Sequence, residues 1–273
     1  MYTRSSTVTV AAAAAAVWLL WRQGQAMWKQ RKTVLKLTYL DMGGSAEPIR
    51  MALRYGGLSF EDERIGYSEL RHRRRHGNLG PFAVVPVLEV CTDAGKRVLY
   101  NQSNAILRFV GQKVGLYPDG GLKQLDVDQV LEAVAEINSR LLPAWYKAAC
   151  ARSMKTGEPG VLLTTSQLEE LNTFLNDDIL PSKLGLLEAA LSRKKIETNG
   201  CSWFLGRELS IADLSCATLV HELMTTQGPP SIRPSVLNFC PELRKHSAMV
   251  YALPSMKGAI RADEEICEAW YNT

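Results

Sequence analysis

Two stretches decide how this chain folds, PFAVVPVLEV at residues 81–90 and LYNQSNAILRFVGQKVGLYP at 99–118. The first is a loop that enters a short buried strand through Pro86. A proline directly before Val87-Leu88-Glu89-Val90 is out of place in an ordinary ladder, because it has no N–H to donate. It fits if the Val85–Pro86 bond is cis, which turns the backbone of Val85 outward and offers its N–H and C=O to an extended peptide. The second stretch is a strand end followed by a helix opening at Ser103, with Ile106, Leu107 and Val110 on its apolar face. At that helix start Gln102 and Ser103 supply an amide, a hydroxyl and N–H groups, a combination suited to a carboxylate. A small acidic peptide laid along Val85, with one carboxylate at Ser103, uses both features.

Working outward, Val34 to Leu40 alternates as a first strand. Gly43, Gly44 and Ser45 form a turn, with Ser45 as the expected cap of a helix from Ala46 to about Tyr55. Leu58 to Ile65 is a second strand, and a short helix is expected within residues 68–78. Val87 to Val90 and Arg97 to Leu99 make a hairpin across Thr92 to Gly95. This βαβ…ββα order predicts a thioredoxin-like α/β unit with a mixed four-stranded sheet. Gly115 to Gly121 is the linker. Beyond it the pattern is all-α, a helical bundle. Val127, Val130, Leu131, Val134, Ile137 and Leu141 mark one face of a long helix starting near Leu125. Ser166 and Glu169 open another helix, broken at Pro181, and Ser182 to Arg193 form the next. Ser210 and Asp213 have capping-box spacing, with Leu209 and Leu214 as a hydrophobic staple.

Composition excludes some classes. At 46% hydrophobic and 22% charged the 273 residues are ordinary globular material, enough for two modest domains. A net charge of +4 calls for no nucleic acid, and no aromatics interleave the one basic run, Arg71 to His76. The six cysteines are scattered without metal-ligand spacing and read as reduced thiols, which favours a cytosol-like compartment and no metal site. Residues 1–32 differ from the rest. They carry basic residues and no acidic one, around an apolar run from Val8 to Trp21 that is shorter than the ~20 residues of a comfortable membrane span. A secretory signal, a mitochondrial-type presequence and a marginal membrane anchor all fit. The anchor ranks first, with the basic residues after it holding the folded part on the cytosolic side.

Four motifs in order, KLTYLDMGGSAEPIR (36–50), PFAVVPVLEV (81–90), QSNAILRF (102–109) and ELSIADLSCA (208–217), resemble the glutathione transferases, closest to the sigma-type and related tyrosine-dependent classes. The resemblance runs from about Thr33 to the C-terminus. It implies a glutathione-binding domain at 33–115, a helical substrate domain at 122–273 and a homodimer. It also implies Tyr39 as the catalytic residue, and glutathione held by Tyr39, Val85, Pro86, Gln102, Ser103 and Glu136 of the partner subunit. Glutathione is then a co-substrate, no cofactor is needed, and the second substrate is a small apolar electrophile, with Trp145, Tyr146 and Trp270 toward its pocket. An isomerase or peroxidase on the same site, or a catalytically weak glutathione-binding protein, shares all these residues. One departure stands out: the family's usual arginine-containing turn is here Gly43-Gly44-Ser45, so support for a thiolate falls to other cations, with Arg71, Arg73, Arg74 and Arg75 as candidates. Tyr67 stands near the place where several relatives have a tryptophan, and Phe82 is either a local core residue or an aromatic inserted into the partner subunit.

Removing residues 1–32 is expected to leave a soluble, folded dimer that binds glutathione, since the first strand begins after them. Truncated protein that aggregates, or fails to bind immobilised glutathione, would show that the leader packs against the body. A fluorescent fusion of the leader alone separates a membrane destination from an organelle.

Overall fold

The computed structural model describes residues 34–91, 96–153, 165–225 and 232–256, without the side chains of 143–153, 165, 167 and 168. The leader, the Thr92–Gly95 turn and Trp270 lie outside these, as do the side chains of Trp145 and Tyr146. No helix among the described residues is long and apolar enough to cross a membrane.

Strand β1 (Leu35–Leu40) leads through a turn and a 3₁₀ segment (Gly44–Ala46) into α1 (Glu47–Tyr55). Then come β2 (Phe60–Ile65), α2 (Tyr67–Arg75), β3 (Val87–Cys91), β4 (Arg97–Tyr100) and α3 (Ser103–Val114). The sheet order is β2-β1-β3-β4, with β1 and β2 parallel and the other pairs antiparallel. This is the mixed four-stranded sheet expected, and β2 begins two residues later than its apolar pattern suggested. Alternation along β1 sends Leu35, Leu37 and Tyr39 to one face, where Leu35 and Leu37 are buried in a cluster with Ile49, Leu53, Ile106, Leu107 and Val110, and Tyr39 packs half-buried against it. The other face carries only a small cluster of Ile65, Leu70, Leu79 and Val87.

The remainder is helical: α4 (Gly121–Ser153), α5 (Thr165–Phe174), α6 (Leu180–Glu197), α7 (Ile211–Met224) and α8 (Pro241–Tyr251). The six residues of the periodic stripe on α4 are all buried. The acidic residues beside that stripe are not simply solvated. Arg108 of α3 reaches Asp128 at 2.8 Å and Glu132 at 2.9 Å, and Tyr117 donates to Asp128, so charge fastens α3 to α4. Pro181 does not break the chain's helical course. A π-helical turn (Leu175–Ile179) intervenes directly before α6, and Pro181 sits in the first turn of that helix.

The capping box at Ser210 and Asp213 is formed. Asp213, fully buried, accepts the Ser210 N–H and hydroxyl at 2.8 Å each and the Phe204 N–H at 2.9 Å, and lies 2.9 Å from His246 Nε2 on α8. One carboxylate thus starts α7 and holds the preceding loop and α8 against it. The sheet-bearing part joins this helix directly. Ile211 N–H donates to Leu116 O at 2.9 Å, and a Cβ on Gly111 would come within 2.6 Å of Ile211, so α3 and α7 touch at a contact only glycine allows.

On the sheet edge Glu63 accepts from Arg73 and Thr38 at 2.7 Å and from Lys36 at 2.8 Å. Chiefly because of Arg73, and against the cost of burial, its carboxyl falls from an ordinary value near 4.5 to about 2. The sign follows from linkage: the stabilisation is full above the ordinary value and is lost as pH falls through about 2. Denaturant melts run from neutral pH downward should show a loss on the order of 2 kcal/mol in that window from this group. Glu63→Gln should flatten that part of the curve, and an unchanged curve would remove Glu63 as its source.

Candidate active site

Strand register brings the candidate residues to one end of the sheet. Thr38 pairs with Val87, so Tyr39 lies just past the end of the β1–β3 pairing, next to Pro86, and Leu88 pairs with Tyr100, which puts Gln102 and Ser103 at the same end. Tyr39, Val85, Pro86, Gln102 and Ser103 therefore share one edge, built from β1, the loop before β3 and the start of α3. Glu136 does not join them. It lies half-exposed on α4 and pairs with Lys183 of α6 at 2.9 Å.

Ser45 is not the helix cap it was expected to be, since its side chain makes no capping bond. Its hydroxyl instead donates to Tyr39 Oη at 3.2 Å. The 3₁₀ segment explains this: it starts the helical course early and turns Ser45 back toward the strand end. Burial is the main cause that pushes the Tyr39 phenol above its ordinary value, and the charge of Glu222 adds to it while the Ser45 bond works against it. The phenol stays protonated at neutral pH, its oxygen occupied by Ser45 and its hydrogen available to an acceptor. Gly44, at φ +51°, lets this happen, because a Cβ there would fall 2.6 Å from Tyr39 Oη.

A cation lies beneath Tyr39 that is not part of the arginine run at 71–75: Arg50. Arg50 is fully buried and spans the Gly43 turn, α1 and β2. Its Nη1 donates to Met42 O at 3.0 Å, Gly43 O at 3.2 Å and Glu47 at 3.0 Å, and its Nε donates to Asp62 at 2.9 Å. Its guanidinium carbon lies 5.9 Å from the centre of the Tyr39 ring. Arg73 is committed to Glu63 and Glu69, and Arg74 donates to Ala83 O at 3.1 Å, so these two hold structure. Tyr67 opens α2, and its own charge also acts on Tyr39.

The Val85–Pro86 peptide is cis, the geometry expected from the sequence. Backbone N–H and C=O of Val85 enter no hydrogen bond among the described residues. The loop before it is held by Asn101, a buried side chain the sequence reading passed over. Its Nδ2 donates to Leu79 O at 2.8 Å and Val84 O at 2.6 Å, and its Oδ1 accepts from Phe82 N–H at 3.2 Å. Phe82 itself is 62% exposed, which rules out the local-core reading. Gln102 precedes α3 with φ +73° and ψ +102° and with its side chain exposed. Such backbone costs of order 1–3 kcal/mol in a residue with a Cβ and persists where surrounding structure dictates it. No side chain caps α3, so the first N–H groups of the helix point outward beside Ser103.

These parts make a thioredoxin-like unit with a hydroxyl donor, an outward backbone segment and an anion-ready helix start, followed by a helical bundle. Comparison with known proteins agrees. Residues 162–261 match the family model of the glutathione S-transferase C-terminal domain. Among curated proteins, a glutathione S-transferase of Plasmodium falciparum (isolate 3D7) is 29% identical over 237 residues, covering 84% of this chain and 96% of that one. Glutathione S-transferase 1 of Ascaris suum is 27% identical over 222 residues, covering 81% and 93%. Among solved structures, a monomeric glutathione S-transferase of the hookworm Necator americanus superposes with a TM-score of 0.62 at 25% identity, covering 85% and 98%. Prostaglandin synthase D of Nilaparvata lugens gives 0.64 at 22% identity, covering 82% and 96%, a likeness of fold. The chain is thus similar to glutathione transferases along most of its length, and in its helical part to their C-terminal domain.

Gln102→Gly should leave the fold intact and raise stability by up to about 1 kcal/mol in denaturant melts, because glycine relieves the backbone strain. A clear loss of stability would mean that the amide side chain, rather than its surroundings, holds this backbone in place.

Proposed function

We propose that the protein is a glutathione transferase that activates glutathione at Tyr39 and transfers it to small apolar electrophiles. The observation that carries the reading is the Tyr39 hydroxyl. It is a protonated phenol fixed by Ser45 at the sheet end shared with the cis-proline step and the start of α3. A hydrogen bond from it to sulfur favours the thiolate and lowers a thiol pKa from ~8.5 toward neutrality. The thiolate then attacks the electrophilic carbon. A carbon–sulfur bond forms as the leaving group departs with its electron pair, or as the electrons of an activated double bond move to the far carbon.

In this reading Val85 pairs with the extended backbone of glutathione through its N–H and C=O. Gln102, Ser103 and the N–H groups of α3 receive the γ-glutamyl carboxylate. Asn101 fixes the loop that presents Val85. Residues 33–115 form the glutathione-binding domain and 122–273 the substrate domain, with the electrophile between them and no cofactor required. The protein acts as a homodimer in which Glu136 of the partner subunit completes the site, exchanging its pairing with Lys183 for the glutathione amino group. It works in the cytoplasm, or on the cytosolic face of a membrane if residues 8–21 insert. The bond between Ser45 and Tyr39 favours an active enzyme over a glutathione-binding protein that has lost its chemistry, since the turn without arginine still orients the phenol.

Tyr39→Phe should lower the conjugation rate with an aryl halide roughly 100-fold, the usual cost of one hydrogen-bond donor to a developing or resident anion. Glutathione affinity should stay within a few-fold, and the apparent thiol pKa in the pH–rate profile should rise. An unchanged profile would take Tyr39 out of the mechanism.

A further inference from the structure

Beside Tyr39 stands a carboxylate that the proposed reaction does not use. Glu222, in the last turn of α7, reaches out of the helical bundle and accepts the Gly44 N–H at 2.5 Å. A Cβ on Gly43 would sit 3.2 Å from the same oxygen, so the Gly43–Gly44 turn packs directly on this side chain. Gly44 is in turn so close to the Tyr39 hydroxyl that a methyl group would not fit between them. Glu222, Gly44, Tyr39 and Ser45 therefore form one contiguous set across the boundary between sheet and helices.

Other ionisable groups nearby have partners of their own. On α1, Arg50 and Glu47 are paired to each other, and Arg54 is bonded to Glu47. On the sheet, Asp41 lies 3.7 Å from Arg64, which also bonds Asp62. Tyr67 opens α2. On the far side of α7, His246 is taken by Asp213, and His221, next to Glu222, stacks on Tyr251 of α8. Of the carboxylates around Tyr39, Glu222 is the one that pushes the phenol's pKa up, with a smaller contribution from the Tyr67 phenol.

We infer that Glu222 is a positioning residue that clamps the Gly43–Gly44 turn onto Tyr39 and, through its negative charge, holds ionisation of the bound thiol at a higher pH than Tyr39 alone would set. The inference rests on Tyr39 being the thiol-activating residue. Its physical basis is that a like charge disfavours a second anion nearby, by about one to three pH units when the pair is partly shielded from water. The clamp and the charge are separable. Glu222→Gln keeps an oxygen to accept the Gly44 N–H and removes the charge, whereas Glu222→Ala removes both.

The experiment is the pH–rate profile of aryl-halide conjugation at saturating glutathione, measured on the full chain for wild type, Glu222→Gln, Glu222→Ala and Tyr39→Phe. Glu222→Gln should shift the apparent thiol pKa down by about one unit, raising the rate on the acid limb about tenfold. Glu222→Ala should show a similar shift together with a plateau rate lowered about tenfold, as the turn loosens against Tyr39. Superimposable profiles for wild type and Glu222→Gln, with Tyr39→Phe behaving as expected, overturn the assignment of Glu222 alone. The same holds if both Glu222 variants lose rate without a shift in pKa, since a purely structural brace would do that. A Tyr39→Phe protein indistinguishable from wild type overturns both this inference and the reading of the site.

Discussion

A guanidinium taken wholly out of water costs several kcal/mol unless its charge and its donors find partners. Through Nη1 and Nε, Arg50 finds partners on three separate pieces of chain: two carbonyls of the Met42–Gly43 turn, Glu47 one turn back on its own helix, and Asp62 on β2, while Nη2 has no partner among the described residues. That requirement fixes the turn after β1 relative to both α1 and the neighbouring strand. Tyr39 stands at the end of that strand with the cation near its ring, and the Ser45 hydroxyl, carried by the same turn, bonds its oxygen. The geometry at the phenol is a consequence of satisfying a buried charge a few ångströms away.

The elements easiest to read in the sequence are those whose signal is periodic or local. Helix α3 starts and stops where Ser103 and Gly115 mark it, and the buried stripe of α4 follows its apolar spacing residue by residue. The box at Ser210 and Asp213 is a three-residue pattern and forms as spaced. What the sequence hides is contact between distant residues. Nothing in the spacing of Glu222 points to Gly44, 178 positions earlier, and nothing in Asn101 announces that it holds the loop of Leu79 to Val84. Arg50 lay within a motif already singled out, and its separation of three residues from Glu47 was a usable clue. The run of charge at 71–75 drew attention away from it, because clustered charge is conspicuous whereas a single buried arginine is not. Ser45 is a related case: serine before a helix usually caps it, and here the 3₁₀ start sends the hydroxyl elsewhere.

The helical part contributes more to the site than a wall. Through Ile211 and Leu116 it shares a backbone hydrogen bond with the end of α3, through Gly111 it shares a close contact, and through Glu222 it touches the turn beside Tyr39. A continuous apolar cluster runs from Leu35 and Leu37 of the sheet to Leu219 and Leu223 of α7. Substitutions in α7 therefore reach the surroundings of the Tyr39 hydroxyl through this shared core and through Glu222.

The two faces of the sheet are unequally covered, and this matters for how the protein breathes. One face is sealed by the common core, while the other rests on the few side chains of Ile65, Leu70, Leu79 and Val87. Local opening free energy scales with the contacts that must be broken, so on this face the polar ties of Arg73 to Glu63 and of Asn101 to the loop before Pro86 carry more of the restraint than apolar packing does. That loop carries Val85. Protection from solvent exchange would be graded across a single sheet, low on one surface and high on the other.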